Sequence, residues 1–270
     1  MAVITISRGS YSKGKEVAEG VAARLGFECV SRDILLEASD QFNVPEIMLL
    51  HAIQDAPSIL DRFSHGKIAY ITHIQSALLE HVKRGNVVYH GLAGHILLKG
   101  MERVLKVRII ADPALRVAVE MEREPVDEKE ARRRIAKIDE ERRKWTRRLY
   151  GVDPWDPSLY DLVICIDKIK VEGAVRLICE AASQDAFLLT QKDRQKLTDL
   201  ALSCKLKSEL LDLDHNVTVT SDYGNVLVFT KSDDRKARKM EEKLHSLAGR
   251  LPELHNIEVR VGEPKPSIDA

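Results

Sequence analysis

MAVITISRGSYSKGKEVA, residues 1–18, is the stretch on which the reading of this chain turns. A short apolar, β-branched run (Val3-Ile4-Thr5-Ile6) leads into Gly9-Ser10-Tyr11-Ser12-Lys13-Gly14-Lys15, and a helical pattern continues to Leu25. The spacing is G-x-x-x-x-G-K. Between a buried strand and a helix, such a loop turns backbone N–H groups and a helix N-terminus toward a phosphate, with a lysine in reach of its outer oxygens. Position 16 is Glu, where the motif ordinarily offers a Ser or Thr hydroxyl to Mg²⁺. The residues alone leave two readings: a phosphate loop in a protein that handles nucleoside triphosphates, or a glycine-bearing turn with a solvated lysine.

A chain of 270 residues admits one large domain or two smaller ones. Its 42 basic and 42 acidic residues cancel, so no overall field draws it to nucleic acid or to an anionic membrane. No apolar run approaches the ~20 residues of a membrane span, and the first residues lack a signal-peptide pattern. Cys29, Cys165, Cys179 and Cys204 are scattered without C-x-x-C spacing. They point to neither a zinc site nor a disulfide framework, and a reducing cytoplasm is the expected setting.

Up to about residue 185, strand-like runs at 3–6, 27–30, 87–89, 104–110 and 162–166 alternate with helical patterns. The helical patterns fall at 15–25, 33–42, 46–53, 68–84, 113–123 and 128–137, followed by a charged segment to Tyr150. Such alternation builds a parallel sheet covered on both faces, with ligands at the carboxyl ends of its strands. The segment 132–148, RRRIAKIDEERRKWTRR, holds nine basic and three acidic residues. It reads as a solvated helix pair, as a lid bringing guanidinium groups onto phosphates, or as a nucleic-acid patch with Trp145 stacking a base. After residue 186 the pattern changes to helix (192–213), hairpin (216–220 and 225–230, turning at Asp222-Tyr223-Gly224-Asn225), charged helix (232–247) and strand (257–261).

The N-terminal part resembles the cytidylate kinase-like family of P-loop nucleoside monophosphate kinases. ITISRGSYSKGKEVAEGVAARLGF is similar to that family's opening strand, phosphate loop and first helix. VLKVRIIADPALRV resembles its fourth strand and following helix, and IDEERRKWTRRLYGVDPWDPSLYDLVI its lid and fifth strand. The resemblance implies an α/β fold: a P-loop kinase three-layer α/β/α arrangement with a five-stranded parallel sheet, here joined to a small C-terminal α+β domain. The expected units are 1–185, 186–263 and a flexible tail, 264–270. The C-terminal unit weakly resembles a BON-like domain, and is either a partner or small-ligand module or a structural or dimerisation element.

The family resemblance further implies transfer of the γ-phosphoryl of ATP, with Mg²⁺, to a nucleoside monophosphate such as CMP. A binding protein that senses nucleotide without turnover is the alternative. Gly9, Ser10, Tyr11, Ser12, Lys13, Gly14, Lys15 and Glu16 would surround the donor phosphates. Lys15, Arg142 and Asp139 would carry the chemistry, the last two matching a D-x-x-R lid one helical turn apart. Arg143 and Arg147 are helpers on the acceptor side. Two departures concern that side. Ser31 stands where the family has an acidic residue after the second strand, and Asp33 either takes that role or caps the next helix. His90-Gly91-Leu92 lacks the arginine of the family's Gly-Arg-Gly, so His90 either contacts a phosphate or is hydrogen-bonded structure. A protein partner or self-association through the C-terminal unit is expected, and no nucleic acid, membrane span or protein-held metal.

Overall fold

The computed structural model describes residues 1–31, 64–91 and 93–263. Asp33, the helical patterns at 33–42 and 46–53, Leu92 and the tail 264–270 lie outside the described residues. Five parallel strands form the main sheet: β1 (Val3–Arg8), β2 (Glu28–Val30), β3 (Val87–His90), β4 (Val104–Ala111) and β5 (Leu162–Ile166), in the order β2-β3-β1-β4-β5. β1 is central, and Val3, Ile4 and Ile6 are buried on alternate faces. A strand covered on both sides loses the period-two pattern and reads as one apolar run, as this one does.

Helices α1 (Gly14–Leu25) and α6 (Val171–Ala182) cover one face, packing Val17, Val21, Ala174 and Ile178 onto Ile4, Ile6, Val107 and Ile109. Sequence reading placed no helix at α6. The other face takes α2 (Ser64–Arg84) and the short α3 (Gly94–Leu97). Gly94 lets α3 come close: a Cβ there would lie 2.4 Å from the Tyr89 ring.

Helix α4 (Pro113–Arg123) follows β4, with Asp112 as cap accepting from Ala114 N–H at 2.7 Å. The segment 132–148, for which a solvated helix pair is one of three readings, lies within a single helix, α5 (Glu128–Tyr150). Asp127 caps its start, Gly151 ends it at φ 69°, and i,i+4 charge pairs such as Glu128–Arg132 line its exposed side. Val117, Ala131 and Ile135 join α4 to α5, with Tyr11 packed against them. Trp145 is 2% exposed within the main core, so the idea that it stacks a base fails.

The second sheet is small: β6 (Thr218–Asp222) pairs antiparallel with β7 (Asn225–Thr230), which pairs parallel with β8 (Asn256–Val261) through α8 (Asp234–Ala248). Helix α7 (Gln191–Leu210) serves both cores. Leu197, Ala201 and Cys204 join the main cluster, while Leu202, Leu206 and Leu210 join that of the small sheet. A helix apolar on two sides is a buried one. Asp199 on α7 fastens the hairpin turn, accepting from Ser221 Oγ (2.8 Å), Gly224 N–H (2.9 Å) and Tyr223 N–H (3.0 Å). Among the described residues no helix is long and apolar enough to cross a membrane.

Candidate active site

The loop between β1 and α1 is held open by its own backbone. Gly9 N–H donates to Ile109 O (3.0 Å), and the single Ser12 hydroxyl proton is shared between Gly9 O (2.9 Å) and Ile109 O (3.2 Å), tying the loop to β4. Tyr11 and Lys13 take left-handed conformations at φ 57° and 58°. Lys13 is the N-cap of α1 and makes no side-chain cap bond, which leaves the helix N-terminus available to an anion. Gly14 is required, because a Cβ there would meet the Arg8 side chain at 2.6 Å.

Above the loop lies a cavity of about 400 Å³ lined by Arg8, Gly9 through Glu16, Val119, Arg123, Ile138 and Arg142. Ser10 joins the loop to α5. Its Oγ donates to Asp139 Oδ1 (2.7 Å) and accepts from Arg142 Nη1 (3.1 Å), and its N–H donates to Asp139 at 3.3 Å. Arg116, on the first turns of α4, donates to Ser10 O (2.7 Å) and to Asp139 Oδ2 (2.5 Å). Asp139 is therefore bridged to Arg116, and Arg142 is left with a hydroxyl partner. Burial pushes the Arg142 guanidinium below its ordinary value; Asp139 opposes this, and Arg8 and Arg116 add to it. Burial does the same to Arg8, against the pull of Glu16, Tyr89 and Glu19. Several cations crowded on one cavity favour an anionic occupant.

Lys15 lines the same cavity and lies 3.6 Å from Glu19, with 61% of its side chain exposed. An exposed i,i+4 pair contributes only ~0.3–0.5 kcal/mol, too little to keep the ammonium from a phosphate. Tyr11 packs between α4 and α5: Arg123 sits 5.2 Å from its ring centroid, and burial with a bond to Glu120 pushes its hydroxyl pKa up.

The other acceptor-side residues fall elsewhere. Arg143 and Arg147 turn to Asp153, at 2.7 and 2.5 Å, and Arg143 stacks 4.1 Å from the centroid of Trp155. The bond from Arg143 holds the Asp153 carboxyl well below the usual carboxylate range. His90 is buried at the end of β3 and is not among the cavity-lining residues. Sequence reading missed Arg8, Arg116 and Arg123. For Arg116 a signal existed: it lies four residues after the Asp112 cap, at the end of β4 where ligands gather.

A strand–glycine loop–helix turn at the end of a parallel sheet, with the arginine-bearing helix α5 over its cavity, is the arrangement of a P-loop kinase-like phosphotransferase. The model of the Cytidylate kinase-like family matches residues 3–168, more than half of the chain, and the chain belongs to that family. The cytidylate kinase of Archaeoglobus fulgidus is 29% identical over 192 residues, covering 70% of this chain and 99% of that protein. That of Methanopyrus kandleri is 36% identical over 93 residues, covering 32% of this chain and 48% of that protein. Among solved structures, an uncharacterized protein from Eubacterium ventriosum superposes with a TM-score of 0.52 at 21% identity, covering 68% of this chain and all of that one, a likeness of fold alone.

Proposed function

We propose that the protein transfers the γ-phosphoryl group of ATP to a nucleoside monophosphate such as CMP. The observation that carries this is the convergence of Arg8, Lys15, Arg142 and the uncapped start of α1 on one cavity. The similarity to archaeal cytidylate kinases supports CMP as acceptor.

The residues present suit a triphosphate tail. Loop N–H groups from Tyr11 to Lys15 bind it, and Lys15 and Arg142 neutralise its outer oxygens. Glu16 offers a carboxylate, a hard oxygen ligand suited to Mg²⁺, where the usual hydroxyl is missing. ATP supplies the phosphoryl group, and its Mg²⁺ shields the phosphate oxygens. Phosphoryl transfer needs positioning and charge neutralisation more than covalent help. Arg142, aimed through Ser10, meets the charge that develops on the transferring group, a role worth ~10³-fold or more in rate for such arginines. Asp139 fixes the lid through Arg116 and Ser10. On the acceptor side, we assign His90, at the end of β3, to the monophosphate, while Arg143 and Arg147 steady the Asp153 loop.

We assign residues 1–185 to the kinase unit and 186–263 to a second, BON-like unit that binds a partner or mediates self-association. Four free cysteines suit a cytoplasmic setting. A second reading, nucleotide sensing without turnover, draws support from α7, whose two faces link the cores. Calorimetric titration with MgATP, compared with Lys15→Ala, tests the donor site: equal affinities reject it. ADP release across a panel of monophosphates separates turnover from sensing.

A further inference from the structure

Arg108 occupies the fifth position of β4, and its Cα partner on β1 is Ser7, two residues before the loop's Gly9. It keeps 9% of its surface exposed. Its Nη1 donates to Tyr160 Oη at 3.4 Å, and its guanidinium lies 5.6 Å from the Tyr160 ring centroid. Among the described residues no carboxylate pairs with it. Arg116, Arg134, Arg143 and Arg147 each have one.

The surroundings are polar and incompletely satisfied. Tyr160 Oη donates to Pro154 O (2.9 Å) and lies 3.4 Å from Ser7 Oγ. The His95 ring is 4.8 Å from that of Tyr160, and its two buried nitrogens have no hydrogen-bond partner; neither has the buried Thr5 Oγ1. Burial, Arg108 and Lys106 push the His95 pKa down to about 4, so the ring is neutral and offers no counter-charge. A buried cation without a counter-ion is costly, and so are buried polar atoms without partners. Both costs fall when an anion with several acceptor oxygens sits among them.

We infer that Arg108, with Ser7, Tyr160 and His95 around it, receives the anionic phosphate of the acceptor. The inference rests on the phosphoryl-transfer reading and deepens it by naming the residue that makes the acceptor an anion. Arg108 stands in register with Ser7, just before β1 delivers the loop, so donor and acceptor phosphates lie side by side where the strands meet the loop. A neutral alcohol would leave the guanidinium uncompensated.

The test uses the full chain and calorimetric titration with CMP, cytidine and MgATP, on wild type, Arg108→Met and Arg108→Lys. Arg108→Met weakens CMP binding by roughly tenfold or more, the loss expected for a charge-assisted contact, while MgATP affinity stays within about twofold. Arg108→Lys recovers part of the loss, and cytidine, which lacks the phosphate, binds wild type and Arg108→Met alike. Unchanged CMP affinity in Arg108→Met overturns the inference, and acceptor-dependent ADP release by wild type would then still uphold phosphoryl transfer. Equal weakening of CMP and MgATP with a lower melting temperature also overturns it, as the mark of a purely structural residue. So does failure of wild type to bind CMP, in which case the Lys15→Ala titration judges the donor site separately.

Discussion

Replacing Asp139 by alanine removes the carboxylate that fastens α5 to the β1–α1 loop and to α4. It accepts from Ser10 Oγ (2.7 Å), Ser10 N–H (3.3 Å) and Arg116 (2.5 Å), and the Asp139 and Arg116 side chains are each only 16% exposed. Hydrogen bonds to a charged group contribute ~1.5–3 kcal/mol each, but the longest is weak and ordering of the side chains offsets part of the sum, so the net loss is about 2–3 kcal/mol. At roughly 2–4 °C per kcal/mol for a chain of this size, the melting midpoint falls by about 4–12 °C.

The second consequence has the opposite sign. Without Asp139, Arg8, Arg116 and Arg142 repel one another with no shared carboxylate, and an anion between them relieves more strain than in wild type. MgATP therefore raises the midpoint of Asp139→Ala by more than it raises that of wild type, through linkage between binding and folding. Asp139→Asn keeps acceptors for Ser10 but not the ion pair, and falls between the two. Thermal melting with and without MgATP measures both effects. A midpoint for Asp139→Ala within about a degree of wild type, or a MgATP shift no larger than in wild type, refutes the reasoning.

Ser12→Ala removes the hydroxyl that braces the loop at Gly9 O and ties it to β4 at Ile109 O; it lowers stability by about 1 kcal/mol in denaturant unfolding, and weakens MgATP binding by titration. Arg142→Met lowers kcat by ~10³-fold or more while the KM for ATP changes little, measured by steady-state ADP release. In the C-terminal unit, burial works against ionising Asp199, but the donors from Gly224, Gln195, Ser221 and Tyr223 outweigh it and hold its pKa below the usual value. A depressed carboxylate pKa stabilises the fold above the unfolded value of ~3.9, and that stability is lost as pH falls through the folded value. Wild type thus loses stability below about pH 4 by a share that Asp199→Asn lacks, read from unfolding midpoints against pH.

Much of this fold was legible because its elements obey local rules. The apolar start of β1 has no other reading in a sheet buried on both faces, and the Asp112-Pro113 cap marked the start of α4. Helix α6 escaped because nothing was read between β5 and the change of pattern near residue 186, although Ala174, Val175, Ile178 and Ala182 carry a helical spacing. Helix α5 looked divided because charge dominates it, and its continuity comes from ion pairs along one side and Trp145 buried on the other. At the site, the glycine spacing marked the β1–α1 loop that lines the cavity. The D-x-x-R motif pointed to Asp139 and Arg142, but not to Arg116 as the true partner of Asp139. That pairing bridges 23 residues and depends on how α4 packs against α5, which no local pattern encodes. Arg108 was hidden for the same reason: only the sheet register puts it beside Ser7 and Tyr160.

The most direct test follows the phosphoryl group itself. Phosphorus NMR of wild type with MgATP and CMP should show the β-phosphate resonance of CDP growing in step with ADP, and neither signal with Lys15→Ala. Inorganic phosphate appearing in place of CDP, or ATP left intact across the whole set of monophosphates, would contradict the account.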